Sequence, residues 1–244
     1  MTTIVFADGY LLMDKRKSIS MIDTPTLART TDPEGIEDHH VKIRTPTPSM
    51  QLPTPWGENI VAIGGYGNEV IEQMLLDSAI IGLTKPRVKQ YYPPLDLSGM
   101  AGAPLSAGII LVFDAGHAIH FEVVPTALTD KVAQNLSNKC VFIRVTYLDK
   151  DTNYVITTSS EAKARLRLLA QVTPAVPVFE DSSTPEAMFL LAAHIDPYSS
   201  YSYSVFGIAE NRLYESVVRS RGYIAQLLRA ADELTLLSNL QLHI

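Results

Sequence analysis

The chain has 244 residues, 46% of them hydrophobic and 19% charged, which is the composition of a soluble globular protein with room for a sizeable core. Its net charge of −6 offers no general attraction to nucleic acid or to an anionic membrane surface, and no apolar run approaches the roughly 18 residues of a membrane span. Cys140 is the single cysteine, so an intrachain disulfide is excluded, and the N-terminus lacks a secretory signal pattern; the expected location is cytoplasmic.

In chain order, residues 2–6 and 10–13 read as short strands joined by Ala7-Asp8-Gly9, a tight hairpin turn. A third short strand is expected near residues 40–44, and a better one over 59–63, ending at Gly64-Gly65-Tyr66-Gly67. Beyond those glycines Val70, Ile71, Met74 and Leu75 fall at helical spacing, with Asn68 placed to cap the helix. Residues 107–113 with 118–124, and 140–147 with 154–158, read as two hairpins.

Helices are expected over 161–171 and from Thr184, with Pro185 in its first turn, up to the stop at Asp196-Pro197. Residues 201–208 and 213–219 form a further hairpin, and a final helix runs over about 223–237 on the stripe Ile224, Leu227, Leu228, Ala231 and Leu234. No linker composition separates two halves, so a single domain over residues 1–244 is expected, with proline-rich loop insertions near 45–58 and 84–106. Helices outside antiparallel hairpins predict an α+β fold of stacked layers.

The chemistry begins at Met1-Thr2-Thr3-Ile4-Val5-Phe6. Removing one methionine leaves a free threonine, which carries a hydroxyl nucleophile and an amine base in one residue. That amine, with an ordinary pKa of about 8, is biased toward its basic form by a nearby cation. Lys42 is the candidate cation, Asp14 its partner, and the backbone N–H groups at Gly64-Gly65 are candidate oxyanion donors.

These residues, in this order, resemble the proteasome β-subunit family and its bacterial relative, the HslV peptidase. Asp14-Lys15-Arg16 is similar to the family's acidic-basic end of the second strand, and Val41-Lys42-Ile43-Arg44 to the strand of its catalytic lysine. Ile63-Gly64-Gly65-Tyr66-Gly67-Asn68 resembles its glycine motif, whose first amide serves the oxyanion hole. Ser159 falls where the family has a serine before a helix, and Asp196-Pro197-Tyr198-Ser199 where it places an Asp and a Ser around the terminal amine.

The resemblance implies an N-terminal nucleophile hydrolase, a four-layer αββα sandwich of two antiparallel sheets flanked by helices. It implies peptide-bond cleavage through an acyl-enzyme on Thr2, with Asp14, Lys42, Gly64, Ser159, Asp196 and Ser199 completing the site. It also implies a homo-oligomeric ring acting on polypeptide substrates, often fed by an ATPase partner. Two other readings stand beside it: a catalytically silent structural or ring-forming subunit on the same fold, and an amidase acting on a small molecule. No cofactor or metal is expected. His117 and His120 would point to opposite faces of a strand, and neither they nor His39-His40 have carboxylate or cysteine company.

Overall fold

The structure, a computed structural model, describes residues 3–23, 28–37, 40–46, 54–55, 57–85, 91–97, 107–123, 140–141, 143–156, 184–196, 199–217 and 219–241. The first hairpin pairs β1 (Ile4–Ala7) with β2 (Tyr10–Asp14) through a two-residue turn. Asp8 and Gly9 sit there at φ 49° and 78°, the left-handed geometry that matches the twist of the flanking strands and that an Asp-Gly pair supplies. Next comes the ribbon β3 (Lys17–Asp23) and β4 (Ala28–Glu37), paired with each other, then β5 (Ile43–Arg44) and β6 (Ile60–Gly67). The strand expected to stop at Gly64 thus runs on through the glycine cluster.

Asn68 caps α1 (Glu69–Leu83), its side chain accepting from the amides of Val70 and Ile71. After β7 (Leu95–Asp96), the strands β8 (Ala107–Phe113) and β9 (Ala118–Val123) form the hairpin read from the sequence, closed by Gly116 at φ 93°. The chain continues through β10 (Cys140–Val141), β11 (Ile143–Leu148), β12 (Tyr154–Ile156), α2 (Thr184–Ile195), β13 (Tyr203–Gly207), β14 (Arg212–Val217) and α3 (Arg221–Gln241). Ser220 opens α3, its hydroxyl accepting from the Tyr223 amide at 3.2 Å. The helix expected over 161–171 lies outside the described residues.

Two antiparallel five-stranded sheets carry the architecture, with strand orders β12-β1-β2-β13-β14 and β11-β9-β8-β6-β5. The expected hairpin of 140–147 with 154–158 is corrected by this topology. β11 pairs with β9 in the second sheet, whereas β12 pairs with β1 in the first. Residues 149–152 do make a turn, the Thr152 amide donating to the Asp149 carbonyl at 2.9 Å. A turn signal does not tell a hairpin from a corner between sheets; packing decides. The expected loop over 84–106 also contains β7, which pairs with β10.

Three apolar clusters of the described residues bind these elements, and β-strand alternation explains how β1, β2, β8 and β13 each serve two of them. Ile71, Leu75, Leu76 and Ala79 of α1 bury against Ile63, Ile109, Leu111 and Phe121 of the second sheet. Phe189, Leu190 and Ala193 of α2, with Leu227 of α3, bury against Val5, Leu12 and Tyr203 of the first sheet. Ile4, Phe6, Leu11 and Met13 face the other way and meet Ile43, Ala62, Ile110 and Val112 between the sheets. Each fully buried aliphatic side chain of this kind stabilises the fold by about 1.5–3 kcal/mol. The result is an α+β fold. At the first helix of the second half, Glu186 of α2 accepts from the Tyr203 hydroxyl and takes both Arg219 Nε, at 2.6 Å, and a second guanidinium nitrogen, at 3.1 Å.

Candidate active site

The site forms where the end of β2 in one sheet meets the residue leading into the short edge strand β5 of the other. The β1–β2 register sets Thr3 beside Asp14, whose amide donates to the Thr3 carbonyl at 3.2 Å. Past Asp14 the chain leaves the sheet and returns: the Lys15 amide donates to Ser202 O at 3.0 Å, and the His40 amide donates to Lys15 O at 3.1 Å. That closure brings Lys42 back over Asp14. Lys42 Nζ donates to Asp14 Oδ1 at 2.9 Å, with the lysine side chain 6% and the aspartate 0% exposed. Two residues 28 apart in sequence thereby make a buried ion pair.

The pair is electrostatically incomplete. Asp14 Oδ2 is buried and has no hydrogen-bond partner among the described residues. Burial pushes the Asp14 carboxyl above the ordinary carboxylate range, against the opposing pull of the Lys42 charge. An extra donor arriving at Oδ2 would favour the charged carboxylate. Lys42 is also held by its backbone, its carbonyl accepting from the Gly65 amide at 3.0 Å.

Gly64 lies inside β6, with Ile43 opposite it on one side and Ile110 on the other. A Cβ there would come within 2.5 Å of Met13 Sδ and 2.8 Å of Ile110 Cγ2, so the close approach of the two sheets itself calls for glycine. Between β5 and the first turn of α1 opens a cavity of about 260 Å³, lined by Lys42, Arg44, Gly65, Glu69, Glu72 and Gln73 among others. Lys42 therefore contributes both to the ion pair and to the cavity wall.

On the opposite side, the end of α2 supplies two buried groups. Asp196, 1% exposed, bonds its amide to Ala192 O at 3.0 Å, and the Ser199 amide donates to Asp196 O at 3.0 Å. Ser199 Oγ then lies 2.5 Å from Thr3 Oγ1, both residues buried. The structure thus joins Asp14 to Lys42 and Ser199 to Thr3, with Asp196 one backbone hydrogen bond beyond Ser199 and Gly64 in β6 of the other sheet. Thr2 and Ser159 lie outside the described residues. Thr3 is the residue that sequence reasoning passed over, although it lies inside the run 2–6 read as the first strand.

Among the described residues no group of three His, Cys, Asp or Glu side chains is arranged to hold a metal. His117 stacks on Phe113 and pairs with Glu58 at 3.3 Å. His120 is fully buried between two tyrosines, Nε2 lying 3.0 Å from Tyr66 Oη and Nδ1 3.0 Å from Tyr154 Oη. Burial, with a smaller effect from Arg144, pushes its pKa down to about 4, so the ring is neutral at pH 7.

No protein-family model and no curated protein matches the chain. Solved structures do. An Anbu mutant from Hyphomicrobium sp. strain MC1 matches over 100% of both chains with a TM-score of 0.52 at 10% identity. A helical assembly of the Anbu complex from Pseudomonas aeruginosa matches over 100% of this chain and 96% of its own, with a TM-score of 0.43 at 11% identity. The resemblance to the proteasome β-subunit and HslV families is corrected accordingly, because the structure matched at a TM-score of 0.52 is of Anbu. The physical reason is that a strand-end carboxylate, a strand lysine and a glycine-rich strand report at most a fold, and one fold is shared by more than one family. At 10% identity the likeness shows the fold alone: the chain has the α+β fold seen in that Anbu structure.

Proposed function

We propose that the chain is a threonine-type N-terminal nucleophile peptidase, acting after removal of Met1. Thr2 Oγ attacks the peptide carbonyl carbon while the Thr2 α-amine takes the hydroxyl proton. The tetrahedral intermediate collapses, the leaving amine takes that proton, and an ester to Thr2 remains. Water, deprotonated by the same amine, then hydrolyses the ester and restores the hydroxyl. Lys42 holds positive charge beside the amine and keeps it basic, and Asp14 holds Lys42. The Gly64 amide receives the oxyanion, since the Gly65 amide already donates to the Lys42 carbonyl, and Ser159 and Asp196 order the amine and its water. The three apolar clusters support the four-layer αββα order that such a hydrolase would have.

One observation carries the reading: the buried Lys42–Asp14 pair at 2.9 Å, with Asp14 Oδ2 left as an acceptor, one strand register from Thr3. Consecutive Cα atoms are about 3.8 Å apart, so residue 2 begins within one chain step of that environment. Intact mass of the purified protein should show loss of one methionine, and a hydroxyl-reactive peptide inhibitor should add once per chain. Thr2→Ala should abolish the adduct. Undiminished labelling of that variant, or a retained methionine in protein that still labels, would sink the assignment.

A further inference from the structure

The geometry points to Thr3 and Ser199 as a hydroxyl clamp that positions residue 2, so that Ser199 acts on the nucleophile through Thr3. This rests on the reading of Thr2 as nucleophile, and it assigns Ser199 a different task from ordering the terminal amine directly. Thr3 is 0% exposed and is tied twice: its carbonyl accepts from the Asp14 amide at 3.2 Å, and its Oγ1 lies 2.5 Å from Ser199 Oγ. The second distance is at the short end for an O–H···O bond.

The anchor on the other side is equally fixed. Ser199 bonds through its amide to Asp196 O, and Asp196 through its amide to Ala192 in the last turn of α2. The same segment is laced to the second strand where Lys15 donates to Ser202 O at 3.0 Å. Thr3 is β-branched, so χ1 is restricted and holding its hydroxyl also holds the backbone that carries it. A link between residues 196 apart thus sets the direction in which the chain leaves β1 toward residue 2. Thr3 Oγ1 is buried against Ser199 Oγ, so Thr3 is a positioning residue and not a catalytic one.

The test compares Thr3→Val, Ser199→Ala, their double variant and Thr3→Ser. Acylation by a hydroxyl-reactive peptide inhibitor should slow by about 10- to 100-fold in Thr3→Val and in Ser199→Ala. Its apparent affinity should change by no more than about twofold. The double variant should be no slower than either single one, and Thr3→Ser, which keeps the hydroxyl, should restore the rate. Wild-type acylation by Thr3→Val, or single effects that multiply in the double variant, overturns the clamp. Hydrogen exchange over residues 3–6 decides the same question without activity: it should accelerate in Thr3→Val and Ser199→Ala and not in Thr3→Ser. Unchanged exchange in Thr3→Val overturns the clamp, whereas a wild-type protein that keeps these exchange differences and never acylates at Thr2 overturns the peptidase reading alone.

Discussion

Replacing His120 with glutamine should remove a pH dependence from the stability of the fold. The imidazole is fully buried, bridging Tyr66 of the second sheet to Tyr154 of the first at 3.0 Å on each nitrogen. A neutral ring donates through one nitrogen and accepts through the other, so both tyrosines are satisfied. The charged groups that bear on it are Arg144, which opposes protonation, and Glu122, which pairs with Arg144 at 3.0 Å. The native pKa is pushed down to about 4, whereas in the unfolded chain the ring titrates near 6.5. Between those values the unfolded state binds the extra proton, so stability is full above about pH 6.5 and falls as pH drops toward 4. At 1.36 kcal/mol per pH unit the loss reaches about 3 kcal/mol. Urea unfolding of the wild type and His120→Gln at intervals from pH 7 to pH 4 measures it. The wild-type curve should descend toward the variant's by about that amount. Parallel curves over the whole interval would refute the buried neutral bridge.

Other variants probe the ion pair and the sheet contact. Lys42→Met leaves Asp14 as an uncompensated buried charge and should cost about 3–5 kcal/mol in urea unfolding. Adding Asp14→Asn should recover most of that stability with no recovery of acylation, which separates what the pair does for the fold from what it does for Thr2. Gly64→Ala puts a methyl against Met13 Sδ and Ile110 Cγ2 and should cost about 1–3 kcal/mol by forcing the sheets apart, read as a lowered urea midpoint. A Gly64→Ala protein with wild-type stability would show that Met13 gives way freely.

What was legible in the sequence was local. Asp8-Gly9 declares a two-residue turn because its left-handed angles suit few other pairs, and Asn68 declares a cap because its side chain satisfies the free amides of the first helical turn. The β3–β4 ribbon escaped because β4 contains Asp32-Pro33-Glu34-Gly35, residues that argue against a strand. It forms nonetheless, with a register break between Ser18 and Ser20. The division of β11 and β12 between sheets was out of reach for another reason. Both runs alternate as strands, and only the pairing of Val145 with Phe121 and of Val155 with Val5 assigns each its partner.

At the site the partnership of Asp14 with Lys42 was readable from the residues and is present at 2.9 Å, whereas the chain closure at Lys15 and His40 that enforces it was not. That bonding also bears on whether the pair serves a reaction or only the fold. A purely structural buried ion pair gains most when both carboxylate oxygens are satisfied, since a buried acceptor without a donor costs about 1–3 kcal/mol. Here Lys42 takes Oδ1, and Oδ2 stays without a partner among the described residues. The cost falls at the end of β2, where the Asp14 amide donates to the Thr3 carbonyl. An acceptor held open at that place stabilises the fold less than a closed one would, so Lys42→Met and the Lys42→Met, Asp14→Asn double variant separate what the charge costs from what the open acceptor costs.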